Sequence, residues 1–319
     1  MAAIGRRCAA LGSPRLPRGL GGGPRRGGRR TGAAAARAVR EDRDARDARD
    51  AERGPGPAVP RGGRVQSAGN PYVKHCVRLR GSGRYRQELG RLLLVGDVPV
   101  QEVLGAGEAR AHVLFRREGT ASGLEAGSTH VLDVNEAVLR KLSGLENVDG
   151  LSLAAEVAVP AAADFAAWER GTLRRLLVLD RIQDPGNLGT LFRTAAALDW
   201  DGVYLVNGCC DPFNEKAIRA SRGSPFRLPV AAGGVKSLQE IRAAHDLQCF
   251  SAEPRGPGLP EPQELADANV CLILGSEGQG VSDDCAAFSD PVGIAMTGAM
   301  ESLNVGVAGG ILMHHLQRR

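Results

Sequence analysis

The sequence predicts an α/β protein with a larger C-terminal domain built on a parallel sheet and a smaller mixed α/β domain before it. Three observations carry that expectation. From residue 173 onward short apolar runs alternate with helical patterns, the signature of a parallel sheet covered on both faces. From 66 to 160 strand and helix patterns also mix, but less regularly. The first 60 residues consist of Arg, Ala, Gly and Pro with hardly an apolar pair, and cannot bury a core.

Residues 1–40 hold ten arginines and no acid, which resembles an organellar transit peptide, although serine occurs there only at Ser13. A disordered tail that binds RNA without specificity is the alternative. The stretch "REDRDARDARDAERG" (40–54) alternates charge and reads as solvated linker. The +5 net charge of the chain is thus a property of its beginning, because residues 41–319 carry 31 basic and 36 acidic groups. Nucleic-acid binding has to be argued from local patches.

In the smaller domain, 91–104 gives a strand and then a helix, 111–118 a strand, 134–145 a helix, and 154–165 a strand ending at a proline break. Lys74, Arg78, Arg80, Arg84 and Arg86 cluster beside Tyr72 and Tyr85. In the larger domain strands are expected at 174–179, 202–206, 226–230, 247–251, 270–274 and 291–296. Helices are expected at 187–199, 212–222, 236–245, 281–288 and 302–317. The helix at 212–222 has Asp211 as cap, Gly223 as stop, and Arg219 and Arg222 on one face where they can grip phosphate or simply be solvated.

Ligands of parallel sheets sit beyond the carboxyl ends of the strands, which directs attention to the loops 180–187, 275–280 and 296–304. The first leads through Asp184, Pro185 and Gly186 to Asn187 as expected N-cap. It opens a helix whose buried stripe is Leu188, Leu191, Phe192 and Ala195, with Arg193 pointing away. The second, "LILGSEGQGVSDD" (272–284), runs from a buried strand into Gly275, Gly278 and Gly280 with Glu277 among them. It is neither GxGxxG nor a P-loop. The third ends a strand at Ile294 and Met296 and opens the last helix at Ser302 or Asn304. In that helix Leu303, Val307 and Ile311, at i, i+4 and i+8, read as the apolar face. Gly306, Gly309 and Gly310, each costing a helix about 1 kcal/mol relative to alanine, call for a close backbone approach.

The segments "DPGNLGTLFRTA", "LGSEGQGV" and "ESLNVGVAGGIL", in that order, resemble the three motifs of the SpoU-type 2′-O-ribose RNA methyltransferases of the SPOUT superfamily, over 173–319. Residues 67–104 are more weakly similar to the family's substrate-binding domain, with Val95 where a glutamate is common. Ala295 stands where proline is usual. The resemblance implies a C-terminal trefoil knot, a homodimer and a pocket for S-adenosyl-L-methionine touching Gly275, Ile294 and Leu303, largely through backbone atoms. It assigns Arg193 the role of orienting the ribose-phosphate and stabilising the developing alkoxide, with Asn187, Glu277, Ser302 and Asn304 holding the loops, the arginine or the substrate. RNA contacts are expected from Lys74, Arg84, Arg86, Arg219 and Arg222. Ribosomal RNA is favoured over transfer RNA, and the chloroplast over the mitochondrion.

Seven cysteines without a CxxC pair read as free thiols in a reducing compartment, with no zinc site. No stretch approaches the roughly 18–20 apolar residues of a membrane span, so a soluble protein with no membrane or metal partner is expected. Two other readings stay open. A catalytically inactive ribosome-assembly factor is opposed by intact Asn187, Arg193 and Asn304. A nicotinamide oxidoreductase is opposed by the lack of GxGxxG after an early strand.

Overall fold

A computed structural model describes residues 56–261, 265, 267–296, 298 and 301–317. The expected transit peptide and almost all of the linker lie outside these residues.

The smaller domain begins with β1 (Arg64–Val65), then two helices, α1 (Pro71–Gly81) and α2 (Gly83–Leu89), that the apolar spacing had not disclosed. Asn70 caps α1, accepting from the Tyr72 amide, with Pro71 in the first turn. Ser82 caps α2 and Gly90 ends it in the left-handed conformation. There follow β2 (Arg91–Val95), α3 (Asp97–Gly105), β3 (Ala111–Arg117), β4 (Ser128–Val134), α4 (Glu136–Ser143) and β5 (Leu153–Ala158). Their sheet order is β1-β4-β3-β5-β2, parallel on the β1/β4/β3 side and antiparallel through β5.

The larger domain contains β6 (Arg175–Asp180), α5 (Pro185–Ala197), β7 (Gly202–Val206), α6 (Glu215–Ser221), β8 (Val230–Gly233), α7 (Val235–His245), β9 (Leu247–Ala252), β10 (Asn269–Gly275), α8 (Asp283–Ala286), β11 (Asp290–Val292) and α9 (Val305–Leu316). All of its strand pairs are parallel, in the order β11-β9-β10-β6-β7-β8. Both faces are covered, as the near-continuous apolar runs require. Leu177, Leu179, Leu272 and Leu274 face α5 and α9, while Val178, Cys271 and Ile273 face the α7 side. Among the described residues, no helix is long and apolar enough to cross a membrane.

Four local expectations are corrected. Asp184, rather than Asn187, caps α5, which frees the Asn187 side chain. Asp211 does not cap α6, since Asn214 does, three residues later. The strand expected at 226–230 lies at 230–233, because Ser224–Phe226 form a 3-10 turn. The apolar face of α9 is inverted. Val305, Gly306, Gly309, Leu312, Met313 and Leu316 are buried, whereas Leu303, Val307 and Ile311 are exposed. The helix is apolar nearly all round, and its seat is chosen by small residues. A Cβ on Gly309 would fall 2.3 Å from Leu191 Cδ2 and 2.7 Å from Leu274 Cδ1, and one on Gly306 3.2 Å from Thr190 Cγ2. The glycines therefore bring α9 against α5 and β10 of its own chain. That tight seat and the sheet order are consistent with the knotted end expected of the fold.

The two domains share a core. Ile218 and Phe226 of the larger domain pack with Leu92, Leu94, Val100, Val103 and Leu114 of the smaller one. Polar clamps flank it. Arg86 donates through Nε to Asp211 Oδ2 at 3.1 Å, and Arg222 pairs with Glu102.

Candidate active site

The site forms where β6, β9, β10 and β11 end, because a parallel sheet aims all of its strand-end loops to one side. Residues drawn from 252–254, 274–280 and 292–296 follow three of these strands, and with Glu301, Ser302, Leu303, Val305, Ala308 and Leu312 they line a cleft of about 380 Å³. That volume suits a small-molecule cofactor. Its walls are apolar at Leu274, Val292, Ile294, Met296 and Leu312, and Glu253, Glu277 and Glu301 supply carboxylates. No lysine or arginine is among its described lining residues. Apolar walls with acidic groups and no base fit a flat aromatic ring attached to a cationic centre. Gly275, Ile294 and Leu303 all line this cleft, as does Ser302.

Asn187, Glu277 and Asn304, drawn from the three loops, meet in a closed triangle. Asn187 Nδ2 donates to Glu277 Oε1 at 2.7 Å, Asn304 Nδ2 donates to the same oxygen at 2.9 Å, and Asn304 Nδ2 also donates to Asn187 Oδ1 at 3.0 Å. Each asparagine is oriented by the backbone. Asn187 sits in the first turn of α5 below its Asp184 cap, and Asn304 caps α9 through Oδ1, which accepts from the Gly306 and Val307 amides. Residues separated by 90 and 27 positions thus lock three loops through one carboxylate oxygen.

Two further residues shape the site without a sequence signal of their own. Asp180 is almost fully buried at the end of β6, and its Oδ2 accepts from the Ser282 amide at 2.6 Å. Arg181 adopts φ 59°, and donates to Gln279 Oε1 at 3.0 Å. Residues Arg181–Asp184, Asn187, Ser276–Gln279 and Val305 line a second cavity of about 310 Å³ adjoining the cleft. Only the positive φ marks Arg181, and φ is not legible from composition.

Arg193 is exposed on α5, off the buried stripe as expected. Among the described residues it has no hydrogen bond or ion pair, and it lines neither cavity. The expected RNA contacts divide. Lys74 is exposed and Arg84 pairs with Glu88 on the surface. Arg86 is corrected: it is buried, donating to Leu79 O and Arg80 O besides Asp211, so it clamps the domains and cannot reach RNA. Arg222 likewise has its partner in Glu102, across the domain boundary, and Arg219 pairs with Glu215 on its own helix. Arg78 stacks over the Tyr85 ring at 4.0 Å and remains exposed.

Cys209 and Cys210 lie near the strand ends, but burial pushes both thiols up to about 11, leaving them neutral and poor nucleophiles. In the smaller domain His75, Cys76 and Glu156 bring possible ligand atoms within 4.8 Å of one another. The Glu156 carboxylate is already taken by Tyr72, by Arg91 at 3.1 Å and by His75 at 3.4 Å. Burial pushes the Cys76 thiol well up. This is a satisfied buried network.

A cleft of cofactor size at the strand ends of a parallel sheet, flanked by a final glycine-seated helix and by three interlocked motif loops, defines the candidate active site of an α/β enzyme. Residues 174–314 match the SpoU rRNA Methylase family. The chain is 32% identical over 263 residues to an uncharacterised tRNA/rRNA methyltransferase of Synechocystis, covering 80% of this chain and 93% of that one. It is 30% identical over 256 residues to the 23S rRNA (guanosine(2553)-2′-O)-methyltransferase RlmP of Bacillus subtilis, covering 80% and 99%. An AdoMet-bound rRNA methyltransferase from Sinorhizobium meliloti superposes with a TM-score of 0.69 at 26% identity, covering 79% and 96%. The chain belongs to the SpoU rRNA methylase family.

Proposed function

We propose that this protein methylates a ribose 2′-hydroxyl of ribosomal RNA in an organelle, the chloroplast first and the mitochondrion second, and that it works as a homodimer. The observation that carries the chemistry is the Asn187–Glu277–Asn304 triangle, whose Glu277 lines the acid-bearing cleft. The rRNA target is supported by the relatives that match along almost their whole length, RlmP among them. The organelle is supported by the ten arginines without an acid in residues 1–40.

Bound S-adenosylmethionine supplies an electrophilic methyl group on a sulfonium. The chain's own task is to hold the acceptor ribose in line with that methyl and to stabilise charge on its oxygen as the proton departs. The triangle fixes the 276–280 loop against α5 and α9, so that cleft and acceptor keep one geometry. Arg193 orients the ribose-phosphate with its planar fork and stabilises the alkoxide; a guanidinium is no general base. Within one chain it lines neither cavity. A second copy resolves this, because Leu303, Val307 and Ile311 leave an exposed apolar strip beside the α5/α9 pair. Pairing through that strip covers it and lets Arg193 of the partner subunit complete the site. The glycine face is used inside the chain and takes no part in the pairing.

The test is transfer of tritiated methyl from S-adenosylmethionine to ribosomal RNA by the purified full chain. Label recovered in alkali-resistant dinucleotides marks a 2′-O-methyl group. Label found only in alkali-labile nucleotides would place the methyl on a base and overturn the proposal.

A further inference from the structure

Six cysteines lie among the described residues, and the proposed chemistry uses none of them. Cys249 on β9 and Cys271 on β10 stand apart because the two strands pair them. In the parallel β9/β10 ladder Cys271 is the register partner of Cys249, and both side chains enter the cluster on the α7 side of the sheet. Neighbouring strands run about 4.8 Å apart, within the range of about 4.4–6.8 Å over which a disulfide joins two Cα atoms. Bonding the two sulfurs needs no change of register.

The pair is also polarised. The Cys271 S–H donates to the Cys249 sulfur and, with the positive charge of Arg242, holds the Cys249 thiol below its ordinary value in spite of burial. The same contact, together with burial, holds the Cys271 thiol well above it. Burial pushes Cys76, Cys209, Cys210 and Cys285 up as well, so Cys249 is the one described thiol biased towards the nucleophilic thiolate. The little exposure the pair has belongs to it too, 3% against 0% for Cys271. β11 pairs with β9 only over Phe250–Ala252, and Cys285 of the four-residue α8 packs in the same cluster. A cover of one helical turn is of the kind that opens locally, and a molecule as small as hydrogen peroxide needs little opening.

We propose that Cys249 and Cys271 form a thiol pair that hydrogen peroxide converts into a disulfide, loosening the cofactor cleft until a dithiol reduces it. The Cys249 thiolate attacks one peroxide oxygen; the S–O bond forms, the O–O bond breaks, and the departing hydroxide takes up a proton to become water. The Cys271 sulfur then attacks the Cys249 sulfenic acid; the S–S bond forms, the S–O bond breaks, and a second water leaves with the Cys271 proton. Two thiols lose one electron each, and one peroxide is reduced to two waters. A dithiol reverses the step through a mixed disulfide and is itself oxidised to a disulfide. The consequence reaches the cleft, because a disulfide draws its Cβ atoms to about 3.8 Å, about an ångström less than the spacing of the strands. Ala252 and Leu274, three residues further along β9 and β10, line the cleft. The inference rests on the cofactor reading of that cleft and not on which RNA is methylated.

The test exposes the full chain, reduced and then freed of reductant, to hydrogen peroxide under conditions where it stays folded. Its cysteines are then mapped by alkylation, digestion and mass spectrometry. A peptide pair joined through Cys249 and Cys271 should appear, and should vanish after dithiothreitol. In Cys271→Ala the reaction should halt at a Cys249 sulfenic acid that dimedone captures. In Cys249→Ala, Cys271 should stay reduced. Calorimetry should show S-adenosylhomocysteine bound about threefold or more weakly by the linked chain, since a gap of up to an ångström forfeits much of a contact's attraction. Reduction should restore the affinity, and peroxide should leave that of Cys249→Ala unchanged. The absence of a linked pair in the folded wild-type chain, a link to another cysteine in its place, or unchanged affinity in the linked chain each overturns the proposal.

Discussion

Gly275→Ala probes the coupling of loop and cleft at one methyl group. A Cβ on Gly275 would fall 2.1 Å from the Gly280 carbonyl carbon and 2.2 Å from the Val281 nitrogen, against ordinary contacts that begin near 3.4 Å. Both atoms are backbone, so the 276–281 turn has to move by more than an ångström. The clash is with the chain's own loop. That turn carries Glu277, whose Oε1 holds amides at 2.7 and 2.9 Å; an ångström of displacement takes both beyond hydrogen-bonding range. Overpacking of this kind costs about 1–3 kcal/mol, which for a chain of this size is a melting-temperature drop of roughly 2–10 °C. Calorimetry should show S-adenosylmethionine bound about tenfold more weakly. Methyl transfer should fall by about 10²-fold, the cost of misplacing reacting groups by an ångström. A Cβ on Gly278 meets nothing within 4 Å, and Gly278→Ala should melt like the wild type. Unchanged affinity and melting in Gly275→Ala would refute the claim that this turn is the cleft wall.

Arg193→Lys and Arg193→Ala should both keep S-adenosylmethionine affinity and dimerisation but lose methylation by about two orders of magnitude, since lysine lacks the planar fork; a lysine variant with near-full turnover would reduce Arg193 to a generic phosphate contact. Val307→Glu with Ile311→Glu places two charges on the exposed α9 strip and should shift sedimentation from dimer to monomer, whereas a wild-type chain already monomeric at micromolar concentration rules out the proposed pairing. Arg86→Ala strips a buried clamp from Asp211 and should cost about 3 kcal/mol in urea titration, with no loss of RNA affinity at temperatures where the variant is folded. Burial would raise the Glu156 carboxyl, but hydrogen bonds from His75 and Tyr72 and the Arg91 charge hold it below the usual carboxylate range. Its folded pKa being depressed, it stabilises above the unfolded value, and that stability is lost as pH falls through the folded one. Glu156→Gln should therefore flatten the acid limb of a stability-versus-pH curve.

The alternation of strands and helices from residue 173 onward was legible because buried parallel strands must be continuous apolar runs, and β7 falls on the expected residues 202–206. The three loops were legible because parallel strand ends converge. What escaped was long-range. Helix α1 escaped because His75 and Tyr72, polar or ambiguous in sequence, are buried by pairing with Glu156 on a strand about 80 residues away. The face of α9 was misassigned because a glycine contributes nothing to an apolar stripe, yet decides which side of a helix approaches its neighbour most closely. Arg86 and Arg222 were indistinguishable in sequence from surface arginines, since their acidic partners lie 125 and 120 positions away. A holding role for Asn187, Glu277 and Asn304 came from resemblance; only the fold shows that they meet, joined by one carboxylate oxygen.

The most direct measurement is a map of 2′-O-methylation across organellar RNA from cells with and without this protein. The account predicts that one ribosomal RNA nucleotide loses its 2′-O-methyl group when the protein is absent and regains it with the wild-type chain but not with Arg193→Ala. A map in which no ribose methylation depends on the protein, or in which Arg193→Ala restores it fully, contradicts the account.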